Sequence, residues 1–167
     1  MGLFDFLKPQ SGSGNISDSD RLFLTAKGGI VELKRTYKDL SDKGKFEVIL
    51  FNSLTVLRVY RENHPSRYAS IEEGFYKAIF NQAKTYGIAQ NPEQLMNFIN
   101  SRFQFYAQEL ENIYEGGGYI PGKIYSAFYL TPLAKDPEPS FDLGEIMKFF
   151  MGLTTMIKWV HDNTNKI

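Results

Sequence analysis

The chain has 167 residues, 43% hydrophobic and 23% charged, with 19 basic against 19 acidic side chains, no cysteine, and 14 Phe, 10 Tyr and one Trp. A chain of this size is expected to form one compact domain that buries roughly two-thirds of its unfolded surface without cross-links. The balance excludes a disulfide scaffold, a thiolate metal site and a cysteine nucleophile, and it offers nucleic acid no basic footprint.

Residues 1–9 read as a short apolar peptide. Leu3, Phe4, Phe6 and Leu7 cluster on a short helix, with Asp5 and Lys8 on its remaining surface and Pro9 closing it. Asp5 and Lys8 break the apolar run that a secretory signal needs, and Phe6 stands where a myristoylation signal wants Ser or Thr. The longest apolar passage near the other end, residues 149–160, contains Lys158 and falls short of the ~20 residues that cross a bilayer. A cytoplasmic protein without a transmembrane segment is expected. The opening Gly2-Leu3-Phe4-Asp5 resembles short amphipathic membrane-active peptides of the aurein type, over about seven residues. That resemblance implies weak membrane-surface contact through residues 2–8. A tethered docking peptide laid in a groove better suits the neighbouring segment, because residues 10–20 are Gly, Ser, Asn and Asp with one apolar residue, the composition of a flexible linker.

Residues 21–167 read as a single helical domain, all-α, with five to six helices in a bundle-like array around a central C-terminal helix. Residues 22–40 are compatible with a β-hairpin or with two helices broken at Gly28-Gly29. Helices are favoured because Ile30, Leu33, Tyr37 and Leu40 step by three and four, and an isolated hairpin is marginal. Phe46, Ile49, Leu50, Leu54, Leu57 and Tyr60 mark a helix that ends at Asn63-His64-Pro65. Ser70-Ile71-Glu72-Glu73 has the pattern of a capping box, and Gly87 closes the helix it opens. Asn91-Pro92 caps a further helix through Leu95, Ile99, Phe103, Tyr106, Leu110 and Ile113, stopped at Gly116. Pro121 opens a shorter helix through Tyr129, a Pro-rich connector spans residues 131–140, and residues 141–161 form the last helix. Its face at Ile146, Phe149, Leu153, Met156 and Val160 is joined by Leu143, Met147, Phe150, Met151 and Ile157 around the circumference, the pattern of a helix contacted from several sides.

Chemistry-bearing motifs are sparse. Residues 117–124 fit Gly-x-x-x-x-Gly-Lys, but Ile124 replaces the magnesium-binding hydroxyl and no strand precedes the loop, so a glycine cap followed by a proline-led helix is expected instead. His64 and His161 stand at helix ends, outside any multi-histidine pattern. Glu111 and Glu115 lack the Glu-x-x-His partners of a di-metal bundle. No catalytic residue, metal or cofactor is expected. Residues 1–84 hold 13 basic and 10 acidic side chains and residues 85–167 hold 6 and 9, with Lys34, Arg35, Lys38, Lys43 and Lys45 interleaved with acids as on a solvated face. The aromatics stand out, with nine between residues 98 and 129. Arg102, Phe105, Tyr106, Tyr119, Lys123, Tyr125 and Tyr129 combine rings with cations and are the expected partner- or ligand-binding surface. The expected function is a non-enzymatic interaction protein with a protein partner, with homo-oligomerisation compatible. The alternative is a binder of a small apolar or aromatic ligand in an inter-helix pocket.

Overall fold

The computed structural model describes residues 16–88 and 91–167. The expected docking residues Leu3, Phe4, Phe6 and Leu7, and most of the expected linker, lie outside the described residues. Those described form an all-α bundle of six helices: α1 (Asp18–Thr36), α2 (Asp42–Asn63), α3 (Tyr68–Thr85), α4 (Pro92–Glu115), a short α5 (Gly122–Tyr125) that widens into a π-helical turn (Ser126–Leu130), and α6 (Leu143–Thr164). No helix among them is long and apolar enough to cross a membrane.

Helix α1 starts inside the expected linker, because Ser17 caps it by accepting from the Asp20 amide at 3.2 Å. It then runs through Gly28-Gly29 without a break, correcting the expectation of two helices. The glycines serve close packing rather than termination. A Cβ on Gly29 would sit 2.2 Å from Asn52 Nδ2, which donates to the Ala26 carbonyl at 3.0 Å. A side chain at position 29 would push Asn52 off that bond, so glycine leaves room there for the contact between α1 and α2. Helix α3 begins two residues before the expected capping box. Ser70 Oγ donates to the Arg67 carbonyl at 2.7 Å instead of accepting from the helix, so that box does not form. The Asn91 cap forms as expected, accepting from the Gln94 amide at 2.8 Å.

Packing is built on α1, α2 and α6, with α3 laid on α1 and α2 and α4 on the other flank of α2. Every residue from Phe46 to Ser53 is buried, so two turns of α2 are enclosed on all sides. Helix α6 packs against both α1 and α2 through Ile146, Phe149, Leu153, Met156 and Val160, each fully buried. Its expected central position is thereby refined. The other face is open, with Leu143 57%, Met147 53% and Met151 71% exposed, and α2 is the helix surrounded by its neighbours.

Candidate functional site

The residues expected to form an aromatic surface separate into three places. Arg102 and Tyr106, one turn apart on α4, point into the molecule and meet Glu47 of α2. Arg102 Nη2 lies 2.8 Å from Glu47 Oε1 and Tyr106 donates to Oε2 at 2.6 Å, all three groups being buried. Phe98 and Phe105 flank the guanidinium at 5.0 and 5.5 Å from their ring centroids. Burial, with the Glu47 charge beside it, pushes the Tyr106 hydroxyl well above its ordinary range, so it stays a donor. The remaining capacity of the pair goes to the connector. Leu133 N donates to Glu47 Oε1 at 2.8 Å, and Arg102 donates to the carbonyls of Ala134 and Lys135. Leu133 is held at φ 68°, a left-handed conformation costly for leucine. Closed to solvent and hydrogen-bonded throughout, this constellation fastens the Pro-rich connector to α2 and α4.

Tyr125 and Tyr129 stack at 5.5 Å and pack edge-on against Phe149 and Tyr37. The Tyr37 hydroxyl donates to Glu145 Oε2 at 2.5 Å, and Lys38 pairs with the same carboxylate. Lys38 first, then Tyr37, hold Glu145 down to about 2. This cluster pins the end of α1 to the start of α6. Tyr119, half-buried, donates to Glu109, while Lys123 is exposed and apart from them. Of the basic cluster, Lys34, Arg35, Lys38 and Lys45 each pair with a carboxylate. His64 caps α2 and lies 4.9 Å from the Tyr60 ring, and His161 sits exposed with Nδ1 3.6 Å from Asp162. No group of three or more His, Asp or Glu converges to hold a metal among the described residues.

Among the described residues, an accessible concavity lies elsewhere. Helices α3 and α4 flank α2 and leave between them a solvent-open cleft of about 660 Å³, floored by Leu54 and Leu57 and walled by Tyr68 and Tyr76 of α3 and Phe103 of α4. Tyr76 and Phe103 meet across it at 6.3 Å. Arg58, Arg61 and Glu62 line the α2 side of the opening. Arg58 is paired with Glu62 at 2.9 Å, whereas Arg61 lies 5.4 Å over the Tyr68 ring with no carboxylate partner among the described residues. Burial raises the hydroxyls of both Tyr68 and Tyr76, which keeps them neutral and leaves the arginines to set the charge of the cleft. Only Phe103 of these residues belonged to the aromatic run picked out from sequence. The spacing Leu54, Leu57, Arg58, Arg61 and Glu62 marks one α2 face, but only the spread of α3 from α4 leaves that face uncovered. Comparison with protein-family models, with curated proteins and with solved structures finds no match in any of the three.

Proposed function

We propose that the protein is a non-enzymatic, cytoplasmic interaction module whose α2–α3–α4 cleft receives a short apolar segment carrying a carboxylate. The observation that carries this reading is the composition of the cleft: Leu and aromatic walls that reward apolar side chains, beside a guanidinium that is stacked on Tyr68 but not ion-paired among the described residues. Tyr, Phe and Arg around a concavity are the residue types that dominate binding energy at protein interfaces. A volume near 660 Å³ is in the range of clefts that hold a drug-sized ligand, enough for a few large side chains of a peptide. The open mouth favours a segment of polypeptide over an enclosed small ligand. Phe149 and Tyr106 pack against neighbouring rings and line no part of the cleft.

Calorimetric titration of the full chain with the probe peptide Leu-Phe-Glu-Phe-Leu tests this. The acidic probe is expected to bind, the counterpart with Lys in place of Glu to bind more weakly, and Arg61→Glu to reverse that order. Equal binding of both probes, or binding indifferent to Arg61→Glu, contradicts the reading.

A further inference from the structure

We infer that the segment seated in this cleft is the chain's own residues 3–7, so that the protein carries an intramolecular occupant for its docking site. The inference rests on the cleft being a docking site for an apolar, acid-bearing segment and adds the identity of the occupant.

Three observations converge on it. The first is where the described chain begins. Asp18, in the first turn of α1, accepts from the Tyr60 hydroxyl at 2.8 Å and from Arg67 Nη2 at 2.6 Å. Ser19 donates to the Ile71 carbonyl at 3.0 Å, and Gly74 leaves room for it. The start of α1 is thus fixed on the α2–α3 junction, and the residues that hold Asp18 are next in sequence to Arg61 and Tyr68 of the cleft.

The second observation is length. Between Leu7 and Ser17 lie nine residues, Gly- and Ser-rich. A stretch of that size has a root-mean-square span of about 17 Å and a limit of about 30 Å, and it starts beside Asp18, whose partners Tyr60 and Arg67 adjoin the cleft residues Arg61 and Tyr68 in sequence. At such a span the effective concentration of the tethered peptide is in the millimolar range, so even weak contacts keep the cleft filled.

The third is complementarity. Leu3, Phe4, Phe6 and Leu7 are the kind of side chains that the Leu54, Leu57, Tyr76 and Phe103 surfaces take. Asp5, in their midst, supplies the carboxylate that Arg61 lacks among the described residues. Any other protein using the cleft then has to displace residues 3–7, which makes the segment a competitor built into the chain.

The absence of cysteine makes a direct test possible. A nitroxide on Gly2→Cys of the full chain is expected to broaden the amide signals of Arg61, Tyr76 and Phe103. Phe4→Ala should cut the docked population about tenfold by removing a buried ring. Asp5→Lys and Arg61→Glu should each cut it about threefold, and the two together should restore it. Arg61 is exposed, so Arg61→Glu retains the fold. Broadening that falls on the Leu143–Met151 side of α6, that is absent, or that survives Phe4→Ala overturns the inference. So does broadening passed between chains in a mixture of labelled and spin-labelled protein, which would make a second copy the acceptor. No broadening in the free chain, with the nitroxide immobilised on anionic phosphatidylserine vesicles, would assign the peptide to a lipid surface and overturn it equally. If residues 3–7 stay away from a cleft that still binds the acidic probe through Arg61, the inference fails alone. Failure of the probe as well removes the reading of the cleft on which it rests.

Discussion

Glu47 shows how one carboxylate can organise a domain without taking part in chemistry. It lies in the run Phe46–Phe51, where every neighbour is apolar, and a charge in such a run signals a buried partner. Its partner Arg102, among Phe98, Phe103 and Phe105, was expected on a binding surface, and only tertiary contact reveals that the two meet. Removing one member strands the other. Glu47→Ala is expected to cost about 3–5 kcal/mol in urea unfolding, and pairing it with Arg102→Met to cost less than the sum of the two single changes. Additive losses would mean that the pair is not coupled. Gly29 makes a second case. Gly29→Ala places a methyl against Asn52 and is expected to cost about 1–3 kcal/mol by overpacking, whereas Gly117→Ala meets nothing within 4 Å and should leave the urea midpoint nearly unchanged.

At the scale of elements, periodicity and caps carried most of the information. The buried stripes of α2, α4 and α6 follow the three- and four-residue steps in the sequence, and Asn91-Pro92 starts α4 as its chemistry dictates. Misreadings fell where a neighbouring helix overrode a local signal: Gly28-Gly29 looked like a break because Asn52 is 23 residues further on, and Ser70 looked like a cap because the turn before it is set by Arg67. Helix α6 also distinguishes a packed face from an open one. Leu153→Ala is expected to cost about 2–5 kcal/mol, while Met147→Lys and Met151→Lys should each stay within about 0.5 kcal/mol, as measured by urea midpoints. The junction of α1 with α6 carries a pH dependence. Glu145 has its carboxyl lowered from 4.5 to about 2 in the folded chain, so its contribution is complete above pH 4.5 and is lost as pH falls through about 2. The stability gap between the parent chain and Glu145→Gln should therefore close across that interval. A gap independent of pH would show that the carboxylate is not held by Lys38 and Tyr37.

For the molecule as a whole, composition pointed to aromatics and cations as the working parts, and the fold redistributes them. Arg102, Tyr106 and Tyr125, chosen for a surface, are 1%, 0% and 6% exposed, because the enclosed turns of α2 at Phe46–Ser53 need rings around them as core. The exposed combination of ring and guanidinium arises instead from Tyr68, Tyr76, Phe103 and Arg61, contributed by three helices and brought together only by the way α3 and α4 flank α2. No spacing along one helix encodes that. On the proposed reading, specificity would reside in the cleft and regulation in the tethered segment. The most direct measurement is photo-crosslinking in living cells with benzoylphenylalanine placed at Tyr76, in the cleft, and at Tyr119, in the segment that composition singled out. Adducts are expected from position 76, to residues 1–9 of the same chain or to an apolar, acid-bearing segment of a partner, and to be lost on Arg61→Glu. Adducts from position 119 alone, or from position 76 but unaffected by Arg61→Glu, would contradict the account.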